Sequence, residues 1–199
     1  MSDMIIDDIN KFRIILASRS PRRKELLKDL GLNFEVASMD WDEEYPSHLK
    51  AEEIALYLAR AKARQFRNRI RDNEIVITAD TIVWSNNKVL DKPADKDDAL
   101  KILKELSGKT HRVITGVCLL SKTMFTSFFS STNVTFSELA RDEIEFYIDS
   151  FRPYDKAGAY GIQEWIGLAA CSHIEGSYFN VMGLPVEQVY NELKKFILK

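Results

Sequence analysis

A chain of 199 residues, 45% hydrophobic and 29% charged, has the make-up of a globular protein able to bury a sizeable core. Its 28 Lys and Arg against 30 Asp and Glu give a net charge of −2, without the basic excess of a duplex-DNA binder. Cys118 and Cys171 lie outside any CxxC and fit a reducing cytoplasm. His48, His111 and His173 lack metal-ligand spacing, no apolar run approaches the roughly 20 residues of a membrane helix, and the acidic start MSDMIIDDINKFR lacks a signal peptide's apolar segment.

In chain order, the pattern predicts a strand at Phe12–Ala17, a helix at Pro21–Leu30, a strand at Phe34–Ala37 and a long helix near Ala51–Arg71. A strand at Glu74–Trp84 follows, and Asn86-Asn87 suits a hairpin turn because Asn tolerates positive φ. A helix at Asp95–Leu106 runs up to Gly108, a suitable residue just past a helix end. Strands are expected at His111–Ser121 and Met124–Phe136, then a helix near Ala140–Ser150 that stops before Pro153. Short strands near Ala169–Ile174 and Tyr178–Val181 lead into a last helix, Val186–Leu198. Strands that alternate with helices and then pair antiparallel predict a mixed sheet wrapped by helices in one domain, residues 1–199, with residues 1–11 as an N-terminal extension.

The most informative segment is Leu16-Ala-Ser-Arg-Ser-Pro-Arg-Arg-Lys-Glu-Leu-Leu27. Ser20 is a good N-cap, and Pro21 belongs at the first helical position, where a missing N–H costs nothing. Arg22, Arg23 and Lys24 then occupy the first turn, where the macrodipole already carries about half a positive charge. Cations there are mildly unfavourable unless an anion docks. Free backbone N–H groups, the Ser18 and Ser20 hydroxyls and the arginine forks would then hold phosphate oxygens; the competing reading is a solvated basic helix start.

Asp80 is the second anomaly, a carboxylate between Ile75-Val-Ile-Thr-Ala79 and Thr81-Ile-Val-Trp84. Buried without a partner it would cost several kcal/mol, so it calls for a cation, a metal or a hydrogen-bond network. Asp40-Trp-Asp-Glu-Glu44 adds hard oxygen ligands of the kind that suit Mg²⁺ or Mn²⁺, or simply a solvated acidic loop. Lys62 shares the stripe of Ala55, Ala59 and Phe66, so it either reaches out to solvent or meets an anion. Lys92 precedes Pro93, which would aim it, although a surface lysine is the simpler reading. In Ala157-Gly-Ala-Tyr-Gly-Ile-Gln163, glycines permit close backbone approach, and Gln163 offers a donor and an acceptor to a nucleobase edge. The segment is not a dinucleotide fingerprint. Gly108-Lys-Thr110 is not a phosphate-binding P-loop, and no hydrolase nucleophile elbow is present.

These elements in order, with Asp42-Glu43, Lys62 between alanines, Ala79-Asp-Thr81, Lys92-Pro93, Thr115-Gly116, Lys156–Gln163 and Asn180–Pro185, resemble the Maf family, the septum-formation-inhibitor-like nucleoside triphosphate pyrophosphatases. The resemblance covers the chain from about Phe12 to the last helix. It implies a curved mixed sheet flanked by helices, with two lobes around a cleft, similar to the inosine triphosphate pyrophosphatases. It implies hydrolysis between the α- and β-phosphates, with a Mg²⁺ or Mn²⁺ ion held by Glu43 and Asp80. By position, Asp80 matches the proton acceptor. Ser18, Arg22, Arg23, Lys62 and Lys92 match phosphate-handling residues. Arg22, Thr81 and Gln163 match positions tied to base selectivity. The Ala-Tyr-Gly-Ile-Gln form resembles the subgroup acting on dTTP and UTP.

Two departures stand near the implied base pocket: Glu164-Trp165-Ile166 follows Gln163 where relatives more often have glycine, and Gly176-Ser177 replaces a common Gly-Asp. The resulting expectation is a cytoplasmic enzyme with a nucleoside triphosphate substrate, no direct nucleic-acid or membrane partner, and a homodimer as the candidate assembly. The implied role is keeping modified nucleotides out of nucleic acids, with a link to cell-division arrest. Two other classes share some of these residues. One is a non-catalytic nucleotide-binding regulator of septum formation, separable by pyrophosphate release. The other is a single-stranded nucleic-acid binder, separable by salt dependence.

Overall fold

The computed structural model describes residues 5–37 and 44–198. Among these, seven strands form one mixed sheet in the order β2-β1-β3-β5-β6-β7, with β4 also paired to β3. The strands are β1 (Arg13–Ala17), β2 (Phe34–Val36), β3 (Glu74–Ser85), β4 (Lys88–Leu90), β5 (Thr110–Leu120), β6 (Phe125–Phe136) and β7 (Cys171–Glu175). The helices are α1 (Ile5–Ile9), α2 (Pro21–Asp29), α3 (Glu52–Arg64), α4 (Lys96–Leu106), α5 (Arg141–Phe151), α6 (Trp165–Ala169), α7 (Tyr178–Met182) and α8 (Val186–Ile197).

Side-chain alternation along β3 and β5 organises the molecule. On one face, Ile75, Ile77, Ala79, Val117 and Leu119 pack with the apolar faces of α1, α2 and α8. Further along that face, Val83 and Val113 pack with α4, α5 and the segment before β7. Between these two cores the alternation brings Thr81 opposite Thr115, whose hydroxyls lie 2.9 Å apart. A polar pair therefore separates two apolar lobes carried by one sheet. The opposite face, with Thr78, Asp80 and Ile82, lies under α3.

The approach of α3 is set by small residues. Ala55, Ala59 and Ala63 are fully buried, and a Cβ added at Gly116 would sit 2.3 Å from the Ala55 carbonyl oxygen. Only glycine lets this helix lie so close to the sheet. After Arg64 the expected long helix tightens into turns, with Phe66 N–H donating to the Ala63 carbonyl at 3.0 Å. Phe66 and Ile70 stay packed against Ala17, Val76 and Leu120 while the chain turns back towards β3.

Asn86 and Asn87 take φ of 49° and 60° in the β3–β4 hairpin, as their tolerance of that region predicts. One expectation is overturned. Tyr178–Val181 is not a strand but lies within α7, because Ser177 caps the Asn180 N–H and Gly183, at φ 118°, closes the turn. The short helices α1 and α6 were not foreseen. Ile9 of α1 is completely buried in the α2–α8 core, which ties the N-terminal extension to the domain. Both cysteines are free thiols, and burial pushes Cys118 up to about 12, so it stays protonated. No helix among the described residues is long and apolar enough to cross a membrane.

Candidate active site

Strand pairing opens a gap beside Asp80. Along one edge of β3, β1 pairs as far as Thr78, opposite Ala17, and β4 begins only at Val83. Among the described residues, no strand pairs with 79–82 on that side. The chain leaving β1 turns there through Ser18 into α2. This break is the floor of a cleft of about 350 Å³ lined by residues from Ser18–Arg23, by Lys62, Asp80, Thr81 and Lys92, and by parts of 155–163 and 181–183.

The cleft is strongly cationic. Among the described residues, Arg19, Arg22, Arg23, Lys62, Lys92 and Lys156 line it against the carboxylates of Asp80 and Asp155, a formal excess of four positive charges. In a partly desolvated hollow such an excess attracts and holds polyanions far more strongly than the net charge of −2 suggests. Ser20 caps α2 as its sequence predicts: its hydroxyl accepts from the Arg23 N–H at 3.4 Å.

Three local networks fix the lining. Lys62 resolves the choice between solvent and anion, since its ammonium is buried against the Asp80 carboxylate. The other carboxylate oxygen accepts from the Thr81 N–H at 2.9 Å. Arg23 is a buried strut that donates to the Gly183 carbonyl at 2.7 Å, to Thr81 Oγ1 at 2.9 Å and to Ser18 Oγ at 3.4 Å. It ties the start of α2 to β3 and to the end of α7. Arg22 reaches across the cleft to Asp155 at 3.2 Å, and Lys156 meets Asp155 at 2.7 Å. Partial burial pushes the Asp155 carboxyl up, but Lys156 and Arg22 outweigh it and hold it below the usual carboxylate range.

The structure thus brings Ser18, Arg22, Arg23, Lys62, Asp80, Thr81, Lys92 and Gln163 to one cleft. Glu43 lies outside the described residues. Sequence reasoning assigned no role to Asp155 and Lys156, although Lys156 is only 7% exposed. The available signal was a lysine directly before a glycine-rich aromatic segment.

One sheet thus carries two apolar lobes in an α/β fold, with a cationic cleft where its strand pairing breaks. A family model described as Maf-like protein matches residues 13–196, and the chain belongs to that family. It is 55% identical to the dTTP/UTP pyrophosphatase of Phocaeicola vulgatus over 96% of this chain and 100% of that one. It is 49% identical to the dTTP/UTP pyrophosphatase of Flavobacterium johnsoniae over 98% and 100%. Among solved structures, the nucleoside-triphosphatase / dITP/XTP pyrophosphatase of Mycobacterium abscessus aligns over 94% of this chain and 95% of its own. Its identity of 13% and TM-score of 0.40 carry no argument about this one.

Proposed function

We propose that this chain is a nucleoside triphosphate pyrophosphatase acting on dTTP and UTP, releasing the nucleoside monophosphate and pyrophosphate. The observation that carries this reading is the cleft itself, where six cations surround one buried, oriented carboxylate at the gap in β3. The near full-length relatives named dTTP/UTP pyrophosphatase supply the substrate expectation.

In this reading Arg22, Lys92 and the N-terminus of α2 hold the phosphate tail, and Ser18 adds a hydroxyl donor. Fixed positive charge of this kind is the main catalytic lever in phosphoryl transfer, because the protein has little covalent work to do. Water attacks the α-phosphorus, a new P–O bond forms, and the α–β bridging P–O bond breaks. The electron pair leaves with pyrophosphate, and Asp80 takes the proton from the attacking water. Lys62 orients the Asp80 carboxylate for that task, while Arg23 holds Thr81 and the floor in place. Thr81 and Gln163 face the nucleoside end. A site that pairs with the O4, N3–H and O2 edge of uracil or thymine rejects a base with the reversed pattern, since its polar groups are then left unpaired.

A divalent cation fits the chemistry of the donor set. Asp80 offers hard carboxylate oxygens to the cleft, and Mg²⁺ or Mn²⁺ commonly binds through one or two carboxylates plus substrate phosphates. Among the described residues no cluster of three or more His, Cys, Asp or Glu could hold a metal unaided. Asp80, with Glu43 from outside the described residues, would hold the ion, which supplies charge neutralisation on phosphate oxygens. The physiological role we infer is removal of unwanted nucleotides from the precursor pool of a cytoplasmic compartment.

The test is a panel of canonical and modified triphosphates with Mg²⁺ or Mn²⁺, scoring pyrophosphate against orthophosphate. Pyrophosphate released fastest from dTTP and UTP is expected. Orthophosphate as the direct product, or nucleotide binding without turnover, overturns the reading.

A further inference from the structure

Gln163 is followed by Glu164, whose side chain turns back into the fold. The Glu164 carboxylate bridges two groups: one oxygen meets the Lys156 ammonium at 3.1 Å, and the other accepts from the Tyr147 hydroxyl. That hydroxyl in turn accepts from the Gly161 backbone N–H at 3.0 Å. Tyr147 is completely buried on α5, and Lys156 is nearly so. The Glu164 N–H also closes a turn onto the Gly161 carbonyl at 3.0 Å, and the Gly167 N–H closes the next turn onto Glu164 at 3.0 Å. A Cβ added at Gly161 would lie 2.8 Å from the Glu164 carboxylate carbon and 3.1 Å from Gln163 Nε2, so any larger residue would displace these two side chains.

Gln163 is therefore suspended between two residues that the same network pins. It has no buried packing of its own to hold it, since its side chain is exposed at the cleft. Burial and the Glu164 hydrogen bond both push the Tyr147 phenol well above its ordinary value, so it remains a donor at every physiological pH.

We propose that Glu164, with Tyr147, is a positioning residue for base selection: the Lys156–Glu164–Tyr147–Gly161 network holds Gln163 at the nucleoside end of the cleft. This inference rests on the pyrophosphatase reading and adds to it the residues that fix specificity without touching substrate. A discriminating amide works only while its backbone is held; once it can rotate away, it rejects the wrong base no better than water does. The network reaches the phosphate-holding Arg22 only at one remove, through Asp155, which Lys156 and Arg22 share.

Tyr147→Phe and Glu164→Gln test it, since both nearly conserve volume. The ratio of kcat/KM for UTP over CTP is measured in wild type and each variant, with binding of the non-hydrolysable α,β-methylene analogues of both nucleotides. The expected result is a fall of about tenfold or more in both ratios, roughly what one misplaced buried hydrogen bond commands. The loss should fall on KM and binding for the uracil nucleotide, with kcat for CTP changed by less than about twofold. A merely structural role would weaken both nucleotides alike and leave the ratios where they were, and that outcome overturns the proposal. Should Tyr147→Phe fail to fold, Glu164→Gln decides by the same ratios. Wild-type protein that releases pyrophosphate from no triphosphate sinks the pyrophosphatase reading instead, and the analogue-binding ratios still judge the network.

Discussion

Two of the ion pairs that line the cleft are built in opposite ways. Lys62 and Asp80 come from the last turn of α3 and the middle of β3, with side chains only 4% and 11% exposed. Arg22 and Asp155 come from the first turn of α2 and from a loop, at 22% and 57% exposed. A buried pair cannot change partners cheaply, because each ion left alone carries its full desolvation cost. An exposed pair is worth about 1 kcal/mol or less and can open for an incoming anion. Under the proposed function this difference becomes a division of labour, with the inner pair as the fixed reaction centre we propose and the outer pair as an exchangeable clasp.

The largest expected effect strikes the inner pair. Asp80→Asn should fold and lose about 10²–10⁴ in turnover, the usual contribution of a positioned base; near-normal pyrophosphate release by a folded variant would remove Asp80 from the chemistry. Lys62→Met should cost about 3 kcal/mol in urea unfolding, because it strands the Asp80 carboxylate. The double variant with Asp80→Asn should recover much of that loss. Additive losses in this cycle would show that the two groups are not coupled.

Away from the cleft, His111 offers a control with a defined pH window. Burial holds its imidazole down at about 4, against an ordinary 6.5, and its Nε2 meets the Tyr160 hydroxyl at 2.8 Å. The folded protein keeps the ring neutral, while the unfolded chain takes up a proton below 6.5. The stability linked to this site is therefore complete above pH 6.5 and drains away as pH falls towards 4, by at most about 3 kcal/mol. The unfolding midpoint of wild type should fall relative to that of His111→Phe as pH drops from 7 to 4. Parallel profiles would deny the histidine this part.

At the outer pair the effects should be smaller and confined to substrate handling. Arg22→Ala should lower kcat/KM for dTTP about tenfold or more, mainly through KM, with little change in stability. Asp155→Asn should change stability by less than about 1 kcal/mol, and by releasing Arg22 it should not weaken triphosphate binding. Equal losses from Arg22→Ala and Lys62→Met in both stability and turnover would erase the distinction between clasp and centre.

Much of the scaffold could be read from local signals. Ser20 and Pro21 start α2 because a hydroxyl acceptor and a residue without an N–H both suit a helix start. Asn86-Asn87 turns the hairpin because Asn tolerates positive φ. The strangeness of a carboxylate at Asp80 and a lysine at Lys62 was visible too, because a buried charge demands a partner and both sat in apolar patterns. Their pairing with one another was not visible. It depends on Gly116 and the alanines of α3 letting helix and sheet approach, which is a property of the packed pair.

What the sequence determined by itself was the order of the main strands and longer helices, the capped basic helix start and the kinds of group the site would need. All of these follow from neighbours a few residues apart. Tertiary structure alone decided that Arg23 would be a strut and that Glu164 would reach Lys156 and Tyr147. Those outcomes turn on hydrogen bonds between segments up to 160 residues apart, whose partners exist only once the sheet has formed.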